Sequence, residues 1–164
     1  MQKLMLRLVF TLALLGLAAP ALAQQAPTTS GGSGMALLNL DNTVALHGYD
    51  PVSYFEREEP RRGNKGILER VGGATYYFAS RTSRYTFLKN APAYQPQFGG
   101  FCATSMAQGR LEDIDPESFA IFDNKLYLFK DNAARARFQS DPRGTSAAAA
   151  HNYFEKAQKQ RTYY

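Results

Sequence analysis

The chain has 164 residues, 45% hydrophobic and 13% aromatic, with ten Tyr, eleven Phe and no Trp. A single cysteine excludes an internal disulfide framework. The formal charge of +5 comes from scattered Lys and Arg, which excludes the basic stripe with interleaved aromatics that nucleic-acid binding needs.

Lys3 and Arg7 precede the apolar run Leu8 to Ala19, and Ala21-Leu22-Ala23 places small residues at the two cleavage positions, so residues 1–23 are expected to be a signal peptide. The run falls short of the roughly 20 residues that span a bilayer. The mature chain, starting at Gln24, is therefore expected to be periplasmic or secreted, with no stable membrane insertion after cleavage. Cleavage removes two of the 19 cations and none of the 14 acids, leaving +3. The remaining 141 residues, 164 less 23, suffice for one domain with a real core.

Residues 24–35, rich in Gln, Ala, Thr, Ser and Gly, read as a flexible leader, and a single domain is expected over 36–164. Asp50-Pro51 predicts a helix start with Val52, Tyr54 and Phe55 turned inward, a structural role that competes with any site role for Gly48-Tyr49-Asp50-Pro51-Val52. Glu56 to Glu69, charged and carrying Pro60, Gly63 and Gly66, reads as an exposed loop.

The chain also repeats. Tyr76, Phe78, Ser80, Arg84, Phe87 and Asn90 recur 51 residues later as Tyr127, Phe129, Asp131, Arg135, Phe138 and Asp141. Each copy predicts a strand, a polar N-cap at Ser80 or Asp131, and a short helix stopped by Pro92 or Pro142. Ala103 to Gln108 can begin a helix. Asp123-Asn124-Lys125, between Phe119-Ala120-Ile121-Phe122 and Leu126-Tyr127-Leu128-Phe129, predicts a hairpin turn. The Ala147 to Ala150 run with Tyr153, Phe154 and Ala157 predicts a last helix over Thr145 to Lys159, lying across the sheet as a lid. The expected fold is α+β: a small antiparallel or mixed sheet with short helices, two related strand-helix units and a C-terminal helix.

Three segments, His47-Gly48-Tyr49-Asp50-Pro51-Val52-Ser53-Tyr54-Phe55, Tyr76-Tyr77-Phe78-Ala79-Ser80 and Phe98-Gly99-Gly100-Phe101-Cys102-Ala103, resemble the YHS-domain proteins over about Leu38 to Tyr153. The likeness is to their exported branch, some members of which carry selenocysteine at the position of Cys102. The resemblance implies soft-metal binding, copper first. The cysteines of the family's metal-transport copies are replaced here by Ser53, Ala79 and Ser83, none of which substitutes for a thiolate.

The chemically capable residues left are Cys102, His47, Met106, His151, Asp50, Glu112, Asp113 and Asp115. A copper-like ion would be held by Cys102 with Met106, four residues on along one helical face, and with His47 from the other motif. No pair stands at a recognised short ligand spacing. The alternative is a single-thiol redox or peroxide-handling protein, in which Gly99-Gly100 and a following helix lower the thiol pKa and Tyr49 supplies a phenol. The expected partner is thus a metal ion or a small redox-active ligand. A third reading, a non-catalytic binding module, is favoured if Cys102 lies fully buried among apolar side chains. Gly-x-Ser-x-Gly, Gly-x-x-x-x-Gly-Lys, His-Glu-x-x-His and Gly-x-Gly-x-x-Gly are all absent, so no recognised catalytic class is indicated.

Overall fold

Two residues that tolerate positive φ, set between runs of alternating apolar residues, close a tight β-hairpin. The computed structural model, which describes residues 37–56 and 59–162, holds two such hairpins. Gly72-Gly73 (φ 60° and 87°) join a strand over Asn64–Val71 to one over Ala74–Phe78. Asp123-Asn124 (φ 48° and 55°) join strands over Asp115–Phe122 and Lys125–Phe129, as the sequence predicts. With the short strands β1 (Leu40–Asp41) and β2 (Val44–Ala45) ahead of them, these are β3 to β6 in chain order. β1-β2-β4-β3 form one sheet and β5-β6 another.

The helices are α1 (Ser53–Glu56), α2 (Arg81–Lys89), α3 (Ala91–Tyr94), α4 (Ala103–Ala107), α5 (Asn132–Ser140) and α6 (Pro142–Thr162). The expected α+β fold is thus observed, and the duplication goes further than strand and helix. In the first copy Asn64 pairs with Phe78, Leu68 with Tyr77 and Val71 with Ala74; 51 residues on, Asp115 pairs with Phe129, Phe119 with Leu128 and Phe122 with Lys125, with the register slipping at the same place. Ser80 accepts the Ser83 N–H at 3.0 Å to cap α2, and Asp131 accepts the Ala134 N–H at 2.6 Å to cap α5. Phe87 packs on Tyr76 and Phe78 at 4.9 and 5.2 Å between ring centroids, while Phe138 packs on Tyr127 and Phe129 at 4.8 and 5.1 Å. Such ring pairs each add about 0.5–1.5 kcal/mol beyond area burial.

The copies also share the segment before each hairpin, shifted by one more residue. Val44 pairs in parallel with Thr75, and Pro96 with Leu126. The Asp50 N–H donates to the Arg61 carbonyl at 2.8 Å, and the Cys102 N–H to the Glu112 carbonyl at 3.0 Å. The motif around Asp50 and the motif around Cys102 are therefore the same piece of fold used twice.

Helices α2 and α5 end ahead of Pro92 and Pro142, as expected, and these prolines open α3 and α6, where a missing N–H costs nothing. Two expectations need correction. Much of the loop expected over Glu56 to Glu69 is strand β3, whose polar residues are tolerated because it is the edge of its sheet. Helix α6 is longer than expected and has its main seat on α4, not on the sheet: Ala149 is fully buried, and the Asn152 amide donates to the Met106 and Ala107 carbonyls at 3.0 and 3.1 Å. The expected signal peptide and flexible leader lie outside the described residues. Among those residues no helix is long and apolar enough to cross a membrane.

Candidate functional site

Cys102 stands at the N-cap of α4, but its sulfur makes no capping bond to that helix. The side chain is 0% exposed, as is Met106 one turn on, whose N–H donates to the Cys102 carbonyl at 2.8 Å. The structure therefore brings these two sulfur residues together, inside the core. The sulfur lies 3.2 Å from Ser105 Oγ, which also makes a short hydrogen bond to Glu112 Oε2. A serine hydroxyl has one proton to give. Glu112 also meets Lys130 Nζ at 2.8 Å and Arg110 Nε at 3.3 Å. Lys130 first, and then the Ser105 hydroxyl, hold its carboxyl down at about 2. Glu112 is thus an ionised, acceptor-only carboxylate near neutral pH and takes the serine proton. The Ser105 hydroxyl thus sits between the Glu112 carboxylate and the Cys102 sulfur. Cys102 is fully buried in the core, the setting in which free cysteine acts as a small hydrophobe.

The duplication explains the position. Asp50, the counterpart of Cys102, is 1% exposed and accepts the N–H groups of Val52 and Ala79 at 2.9 Å each and the Ser83 hydroxyl. It ties the start of α1 to the start of α2, which is the structural role the sequence offered for this motif. Cys102 fills the same place in the second copy.

His47 is held elsewhere. Its Nε2 lies 2.8 Å from Asp113 Oδ1, which also accepts the Asn39 amide and the Ile114 N–H at 2.8 Å each. Burial pushes the Asp113 carboxyl up, but the Asn39 and His47 bonds outweigh it and leave the group below the ordinary carboxylate range. His151 is exposed on α6, and Asp115, also exposed, accepts the Glu117 N–H at 3.0 Å. The Tyr49 hydroxyl donates to Glu117 at 3.2 Å. Among the described residues no three His, Cys, Asp or Glu side chains form a group that could hold a metal ion.

The Gly99-Gly100 pair does permit a close approach, and what it approaches is the chain's own entry into the domain. A Cβ on Gly99 would overlap the Leu37 carbonyl, and the Asn39 N–H donates to the Gly99 carbonyl at 2.9 Å. The turn itself is unusual: Phe98, Gly99 and Gly100 all have positive φ (54°, 64° and 85°). Its counterpart Leu46-His47-Gly48 does too (57°, 50° and 82°). Left-handed backbone costs a non-glycine residue about 1–2 kcal/mol, so Leu46, His47 and Phe98 store strain that surrounding packing must offset.

No family model, curated protein or solved structure matches this chain. The site must therefore be read from its own geometry, and both strained turns border the same cavity. It measures about 230 Å³ and is walled by Leu46 and Ala74 of the first copy, Gly99 and Gly100 of the second, Leu38 of the entering chain and Tyr153 of α6. Tyr76 and Gln95 also line it. No Asp, Glu, Lys, Arg or His lines it. Sequence reasoning noticed Tyr76, Gly99 and Gly100 but assigned them to the core and to Cys102. The missing signal was the left-handed turn at Leu46, which nothing in its residue type announces.

Proposed function

We propose that this chain is an exported, non-catalytic binding module of the YHS type, and that its ligand occupies the cavity between the two left-handed turns. The observation that carries the reading is the contrast between two places. The cavity is bordered by both left-handed turns, through Leu46, held at φ 57°, in the first and Gly99 and Gly100 in the second, and strained backbone such as that of Leu46 clusters at ligand clamps. The thiol, by contrast, is sealed in the core, its sulfur 3.2 Å from the Ser105 hydroxyl. The YHS kinship rests on the three motif segments, and export on residues 1–23. A largely apolar cavity with a few polar groups is the usual form of a small-molecule site, and Gln95 and Asn39 are the polar amide side chains in this wall. Ligand-observed NMR of the mature chain against a library of small neutral compounds tests the reading. Binders that compete with one another and are lost on narrowing the cavity support it, and an absence of binders contradicts it.

A second reading, a soft ion such as copper(I) held by Cys102 and Met106, is favoured by one observation: the two sulfur residues share the first turn of α4. Copper(I) competition titration of the reduced protein beside Cys102→Ser decides it. Stoichiometric binding lost in the variant supports the metal; equal behaviour of the two proteins sinks it.

A further inference from the structure

We infer that the cavity takes a flat, uncharged aromatic ring laid against Tyr76. The inference rests on the cavity being the ligand site and concerns what fills it. Each half of a duplicated fold shows what the other does differently. In the second half the left-handed turn opens with Phe98, whose ring packs 5.8 Å from that of Tyr127. In the first half the same two places hold Leu46 and Tyr76, and both line the cavity. Backbone conformation is matched as well, with φ 57° at Leu46 and 54° at Phe98. Where the second half lays a phenyl ring of its own on a tyrosine, the first half has a shorter side chain beside an open space. The fold thus carries its own pattern for the occupant.

Size and charge agree with that pattern. A cavity of roughly 150 Å³ lined by apolar side chains takes benzene, so about 230 Å³ admits one ring with a small substituent. With no charged side chain in the wall, an ionised ligand would give up its hydration without a countercharge. Asn39 gives its amide protons to the Gly100 carbonyl and Asp113, so the polar side chain in the wall left for one hydroxyl or amide group on the ring is Gln95.

The test titrates the mature protein with three probes of similar size: p-cresol, cyclohexanol and benzoate. Saturation-transfer NMR and the shifts of the Tyr76 ring protons are followed. p-Cresol is expected to bind and shift Tyr76, cyclohexanol to bind roughly three- to tenfold more weakly for want of the ring pair, and benzoate not to bind. Leu46→Phe installs the second half's residue and is expected to abolish p-cresol binding while keeping or raising the melting temperature. Cyclohexanol or benzoate binding as tightly as p-cresol overturns the aromatic ligand but leaves the cavity as a binding site. Binding of no probe and of no library compound overturns both. If Leu46→Phe does not fold, the Tyr76 shifts in the native protein decide: p-cresol bound without moving them also overturns the inference.

Discussion

A reagent can reach the Cys102 sulfur only if the protein opens, because the residue is 0% exposed and sits between Met106, Ala103 and the rest of the core. The size of the resulting protection follows from the free energy of that opening. Domains of this size are stable by about 5–15 kcal/mol, and core segments open with a large share of it. An opening cost of even about 4 kcal/mol leaves roughly one molecule in a thousand reactive at any moment. Alkylation by iodoacetamide at mildly alkaline pH should therefore run at least about a thousandfold slower in the native protein than in concentrated urea. Native kinetics within about tenfold of the unfolded rate would refute the burial argument and return the thiol to candidacy as the functional centre.

Three further outcomes follow from the same geometry. Asp50→Ala strands the Val52 and Ala79 N–H groups and the Ser83 hydroxyl and should cost about 3–5 kcal/mol by urea denaturation; a loss under about 1 kcal/mol would contradict the bridging role. Glu112 is depressed from 4.5 to about 2 in the folded chain, so the stability it contributes is present above pH 4.5 and lost as pH falls toward 2. Glu112→Gln should flatten the denaturation midpoint over that window, and an unchanged acid slope would count against the Lys130 and Ser105 contacts. Gly99→Ala, at φ 64° and against the Leu37 carbonyl, should cost at least about 2 kcal/mol, whereas Gly109→Ala, at φ 73° with open space around it, should cost only about 1. Equal losses would remove the close approach as the reason for glycine.

Much of the scaffold was legible because it depends on short-range pattern. The N-caps Ser80 and Asp131, the Asp123-Asn124 turn and the aromatic repeat all announce themselves within a few residues. The first hairpin was hidden because β3 is an edge strand whose polar residues look like a loop. The kinship of the Asp50 and Cys102 segments was hidden by a one-residue change of offset, 51 through the hairpins and helices but 52 through the turns. The Ser105 hydroxyl beside the thiol bonds to Glu112, which Lys130 holds from beyond the end of β6, and no local motif encodes that ion pair. The cavity depends on packing between the two copies, the entering chain and α6, and is equally silent in the sequence.

The central claim is that the ligand site is the cavity between the turns and not the thiol. The most direct measurement is a backbone amide shift map of the mature protein titrated with p-cresol. Saturable shifts centred on Leu46, Tyr76, Gly99 and Gly100, unchanged in Cys102→Ser, are the predicted result. Shifts centred on Cys102 and Met106, or binding lost in that variant while it remains folded, would contradict the account.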